Sequence, residues 1–193
     1  MTPSAFAGMI ADAYPSFRLH HMFPGNSQYE PVRQELKELV ARSGGLFTME
    51  DAGTSVEGRM LSMVRTGTGP RRVMLWSQMH GDEPTATLAL LDIMNGMIGW
   101  RSEPWCATML QDISIVILPL LNPDGAERRM RLNAAGININ RDALALASPE
   151  AQVLHAVHEQ FRPDFGFNLH DQELSSVGDA PVATALALLA PPP

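Results

Sequence analysis

Residues 28–43, QYEPVRQELKELVARS, place Val32, Leu36, Leu39 and Val40 at helical spacing, and Gly44-Gly45 follows as a stop. The pattern then changes period. Residues 46–52 and 60–66 are short runs of strand type, and TGTGP at 66–70 is a turn after the second. RVMLWSQM at 72–79 is a continuous apolar run, the form taken by a buried parallel strand, and it leads straight into HGDEP. A helix follows over 85–98, with Leu88, Leu91 and Met94 on one face. Asp82 suits its N-cap and Pro84 its first turn. DISIVILPLL at 112–121 is a second buried strand, and Asn122-Pro123-Asp124-Gly125 reads as a turn. Ser148-Pro149-Glu150 opens a third helix, which runs to Phe161 with Val153, Leu154 and Val157 on its apolar face. Residues 164–169 form a strand that ends at His170, and 182–190 form a further apolar strand.

Strands alternating with helices predict an α/β fold: one domain over 1–193, with a mostly parallel mixed sheet flanked by helices. In such sheets, sites form beyond the carboxyl ends of strands. Three strands here end on polar clusters: His80-Gly81-Asp82-Glu83, Asn122-Pro123-Asp124-Gly125 and His170-Asp171-Gln172.

Composition narrows the function. With 193 residues, 45% hydrophobic and 18% charged, the chain is of ordinary globular type. Fourteen basic against 21 acidic residues, net −7, disfavour nucleic acid, whose phosphates need clustered Lys and Arg. Cys106 is the single cysteine, which excludes an internal disulfide and any multi-cysteine metal site. No apolar run approaches the roughly 18 residues of a membrane span. The first residues also lack the basic and apolar regions of an export signal. A soluble, cytoplasmic protein without membrane contact is the expectation.

His80 at one strand end, Glu83 three residues on and His170 at another strand end make a two-His, one-Glu set. Such a set holds catalytic zinc and leaves a fourth position for water or substrate. Hydrogen-bonded loop histidines are the competing reading. Arg131 and Arg141 flank a segment of small residues and amides. A guanidinium fork suits a carboxylate or an oxyanion. Composition alone favours the competing reading, a solvated basic turn at Arg128, Arg129 and Arg131.

HGDE, NPDG, INR and FNLH, in that order, resemble the zinc carboxypeptidase family of the carboxypeptidase A type. Gly53-Thr-Ser-Val-Glu-Gly-Arg59 resembles the segment before the family's first metal motif, and the likeness runs over 53–190. The resemblance implies one Zn2+ held by His80, Glu83 and His170. It implies that Asn140 and Arg141 bind the free C-terminal carboxylate of a peptide, and that Arg131 stabilises the oxyanion. NPDG would shape the turn beneath the site without a direct catalytic role.

Two departures stand out. The family commonly has an acid two residues before the Asn-Arg pair, where this chain has Asn138. An Asn accepts a hydrogen bond from the first histidine but brings no charge, so metal affinity is expected to be lower. The family's general base is a Glu well downstream of the last zinc histidine, preceded by a Tyr. Here the acids after His170 are Asp171, Glu173 and Asp179, all too early, and the tyrosines are Tyr14 and Tyr29. The chain is therefore expected to be a C-terminally incomplete catalytic domain, with little turnover of its own. A zinc amide hydrolase of the succinylglutamate desuccinylase and aspartoacylase type, or an inactive zinc-binding fragment, are the alternatives. His155 and His158 read as surface residues, and Cys106 as an inert thiol in a loop after Trp105.

Overall fold

The computed structural model describes residues 2–171, and the three strands nearest the polar clusters form the parallel half of one mixed sheet. β3 (Arg71–Ser77) lies between β4 (Ile113–Leu118) and β5 (Phe165–Leu169), parallel to both. β2 (Met60–Gly67) lies antiparallel beside β4, and β1 (Thr48–Thr54) antiparallel beside β2, giving the order β1-β2-β4-β3-β5. Connection length explains the split. A short loop joins β1 to β2, whereas helices separate β3, β4 and β5, and parallel pairing needs such crossovers. Residues 182–190, expected as a further strand, lie outside the described residues.

Side-chain alternation splits the core between the two sheet faces. Val64 and Ile117 face α2 (Tyr29–Arg42) and α3 (Thr85–Trp100), packing with Leu36, Leu39, Leu90, Leu91 and Met94. Met63, Met74, Val116 and Leu118 face the opposite way, toward Ala151 and Val157 of α6 (Pro149–Phe161). A fully buried Leu or Met contributes about 1.5–3 kcal/mol, so these layers fix the helices more firmly than local propensity does.

The structure corrects several expectations. α1 (Pro3–Phe17) has no counterpart in the sequence reading. Thr2 caps it by accepting from the Ala5 N–H at 3.3 Å, but Phe17 is its only buried residue, so its periodic signal is weak. Cys106 sits in a helix, α4 (Pro104–Asp112), rather than a loop. It is fully buried, and burial pushes its thiol up. NPDG opens a short helix, α5 (Pro123–Arg128), where a turn was expected. Asn122 caps it, its Oδ1 accepting from the Gly125 N–H at 2.9 Å. β1 begins two residues later than expected. β4 ends at Leu118, because Pro119 has no N–H and Leu120 takes a φ of 62°.

The β1–β2 loop is pinned to α5 by charge. Arg59 bridges Glu57 and Asp124, both at 2.6 Å, and Arg128 also binds Glu57. Those guanidinium hydrogen bonds, the one from Arg128 first, lower the Glu57 carboxyl from 4.5 to about 2. Because the folded value is depressed, the unfolded chain binds the extra proton as pH falls. The stability Glu57 adds is present above pH 4.5 and is lost between about 4.5 and 2. Urea midpoints across that window should fall less steeply for Glu57→Gln than for the wild type. Parallel curves would assign the acid sensitivity to other groups.

Candidate metal centre

β3 ends at Ser77, and Gln78, with a φ of 54°, turns the chain out of the sheet. The ladder nevertheless continues for two bonds: Leu121 N–H donates to Ser77 O, and Asn122 N–H to Gln78 O, each at 3.0 Å. Asn122 is fully buried, and its Nδ2 donates to Met79 O at 3.2 Å and to Arg131 O at 3.3 Å. It therefore ties the residue before His80 to the backbone of Arg131. Gly81 presses against α5, where a Cβ would stand 2.1 Å from Gly125 C. Only glycine fits there, so the turn between His80 and Glu83 is clamped between β3 and α5.

That turn brings the three expected ligands together. One ligand atom from each of His80, Glu83 and His170 lies within 4.8 Å of the other two. Glu83 is the hub. Its Oε1 lies 2.8 Å from His80 Nδ1 and accepts from Arg131 Nη1 at 2.8 Å. Its Oε2 lies 2.9 Å from His170 Nδ1 and accepts from the Asp171 N–H at 3.2 Å. Burial alone would raise the Glu83 carboxyl, but hydrogen bonds and charge from His170 and His80 outweigh it and hold the group below its ordinary value.

Two imidazole nitrogens and a carboxylate form the donor set of a catalytic zinc site. Bonds of about 2.0–2.2 Å to a tetrahedral ion would place the donors about 3.4 Å apart. The observed contacts of 2.8 and 2.9 Å would open by about half an ångström, which suits side chains free to rotate slightly. His80 Nε2 faces Asn138 Oδ1 at 3.2 Å. That oxygen also accepts from the Asn140 N–H at 3.0 Å, which identifies it as the carbonyl end of the amide. A proton held on Nε2 leaves Nδ1 as the ligand atom.

The remaining expected residues separate. Arg131 reaches the centre through Glu83 and is 52% exposed. Asn140 Oδ1 accepts from Asn168 Nδ2 of β5 at 3.1 Å, joining the Ile139–Arg141 turn to the strand that carries His170. Arg141 is exposed, and its side-chain hydrogen bond among the described residues is to Asn140 O. His155 and His158 lie exposed on α6, away from the ligand cluster.

The supporting roles of Asp171 and Gln78 escaped the sequence reading, while Asn122 belongs to the segment expected beneath the site. Asp171, not Asp82, caps α3: its carboxylate accepts from Thr85 N–H at 3.1 Å and from Thr85 Oγ1 at 2.9 Å. Asn122 and Gln78 act on backbone atoms around the ligands. An amide residue in an otherwise apolar run just before His80 was the available signal for Gln78, and the capping preference of Asn was the signal for Asn122.

A family model described as zinc carboxypeptidase matches residues 32–179. Carboxypeptidase 2 of Trichophyton rubrum is 27% identical over 156 residues, covering 73% of this chain and 29% of that protein. A metallo-carboxypeptidase from Burkholderia cenocepacia shares the fold with a TM-score of 0.68 at 24% identity, over 74% of this chain and 40% of that one. A metallo-carboxypeptidase from Pseudomonas aeruginosa, in complex with (2-guanidinoethylmercapto)succinic acid, gives a TM-score of 0.62 at 26% identity, over 72% of this chain and 40% of that one. The chain spans less than a third of the length of the curated relatives it matches.

Proposed function

The chain belongs to the zinc carboxypeptidase family, and from that membership we propose that its site serves a metallocarboxypeptidase, removing the last residue of peptides with a free C-terminal carboxylate. The observation that carries this reading is the meeting of His80 Nδ1, His170 Nδ1 and the Glu83 carboxylate, with Arg131 on that same carboxylate. His80, Glu83 and His170 would hold a zinc ion, which would supply a Lewis acid for the scissile carbonyl and lower the pKa of a water. Arg131, half exposed, exchanges its Glu83 contact for the substrate carbonyl oxygen and stabilises the negative charge that develops on it. Arg141, with Asn140 beside it, receives the terminal carboxylate, for which a guanidinium offers two parallel N–H donors.

Asp171 takes no base role in this scheme. Its carboxylate is committed to the N-terminus of α3 and its N–H to Glu83. Glu173 and Asp179 lie outside the described residues.

The test is made on the chain as it stands. Dialysed against zinc, it should retain about one ion per molecule. Calorimetric titration of the loaded protein with a peptide and with its C-terminal amide should show the free acid bound about tenfold more tightly or better, as loss of one charge-assisted hydrogen bond implies. Arg141→Ala should abolish that preference. Equal affinity for the two peptides would remove the carboxylate clamp. Tighter binding of an N-acyl amino acid than of either peptide would favour the amide hydrolase instead.

A further inference from the structure

We propose that Gln78 is a positioning residue for the metal centre, holding the His80–Glu83 turn in ligand geometry before metal arrives. The proposal rests on the zinc-site reading above and deepens it. Gln78 follows the last residue of β3 and takes a φ of 54°, a left-handed conformation that glycine enters freely and glutamine at a cost. Its side chain is 1% exposed. Its Nε2 donates to Gly81 O at 3.0 Å, across the turn between the two ligands. Its Oε1 is buried with no hydrogen-bond partner among the described residues.

A strained backbone and an orphaned buried side-chain oxygen both oppose folding, and the single ladder bond that Gln78 O accepts from the Asn122 N–H beyond the end of β3 needs neither the glutamine side chain nor its buried Oε1. Such costs persist where the surrounding structure fixes a site. The amide reaches the one place where the turn has no side chain of its own to anchor it, the carbonyl of Gly81. Asn122 holds the preceding carbonyl, Met79 O, from the other side. His80 is thus pinned on both flanks by side-chain amides, which fixes the direction of its imidazole. A turn already set in this way orders little further on binding metal, and that raises affinity.

Two variants test the idea. Gln78→Met keeps the volume and loses the donor, while Gln78→Gly loses the donor and relieves the φ. Both should weaken zinc binding by roughly 10–100-fold, the range typical of lost outer hydrogen-bond partners of metal ligands. Both should also shift and weaken the visible bands of the Co2+-substituted protein, which report ligand geometry. Thermal unfolding of the metal-free proteins is measured in parallel. If Gln78→Met does not fold, Gln78→Gly carries the test alone. A lowered unfolding midpoint with wild-type zinc affinity and a wild-type cobalt spectrum overturns the proposal, because Gln78 would then only support the fold. Wild-type protein that binds neither metal overturns instead the zinc-site reading beneath it.

Discussion

His80→Ala is expected to take zinc binding by the chain below detection. His80 is 1% exposed, and its two ring nitrogens face Glu83 and Asn138. On the proposed assignment the Nδ1 that faces Glu83 is one of three protein ligands, and the other two alone would not close a tetrahedral site. Even an outer partner of a ligand typically governs 10–100-fold in affinity, so the loss of the ligand itself should exceed that. The variant also takes one partner from Asn138 Oδ1, which keeps the Asn140 N–H, and removes a fully buried side chain. Two readouts separate the effects. Metal-free His80→Ala should melt somewhat below metal-free wild type. Added zinc should raise the melting temperature of wild type, by about 2.7 kcal/mol of stability at a hundredfold excess over Kd, and leave the variant unmoved. His155→Ala, on the exposed face of α6, should match wild type in both. Zinc retained by His80→Ala, or an equal loss in His155→Ala, would sink the ligand assignment.

The clustering of His80, Glu83 and His170 was legible because each stands at the end of an apolar run, or one tight turn beyond it. Strand ends are where a parallel sheet places its chemistry. The apolar runs before His80 and His170 are β3 and β5, and β3 has β4 and β5 on its two sides. What stayed hidden was what supports those ligands. Asp171 caps α3 from a sequence separation of 86, a contact that local capping rules assign to Asp82. Gln78 looks like the polar end of a strand until its φ is known. NPDG has turn composition, yet its Asn takes a capping conformation and its Pro sits in the first helical turn. α1 and α4 went unseen for a different reason. Their apolar faces bury few residues, Phe17 in one and Cys106 in the other, so neither leaves a strong period in the sequence.

Asp124→Ala is expected to destabilise the protein by about 3–5 kcal/mol, the usual result of removing one partner from a buried ion pair. Asp124 is fully buried in α5 and accepts three hydrogen bonds: from Ser55 Oγ at 2.8 Å, Glu57 N–H at 3.0 Å and Arg59 Nη1 at 2.6 Å. Alanine leaves all three donors without that acceptor and releases the β1–β2 loop from α5. Arg59 is 27% exposed, so water reaches part of its charge and the loss should fall toward the lower end of the range. Asp124→Asn keeps one oxygen but turns an N–H2 toward donors, and should lie between wild type and alanine. Glu57→Ala, at an exposed bridge to the same Arg59, should cost a small fraction of the Asp124 effect. The two changes share a partner, so their double variant should depart from additivity. Urea midpoints decide the order. Asp124→Ala no worse than Glu57→Ala would mean that the buried carboxylate adds nothing beyond the surface bridge. Where Asp124→Ala remains folded it should still bind one zinc, because Asp124 hydrogen-bonds to none of the three ligands, and loss of the metal there would show that the clamp on the loop also sets the site.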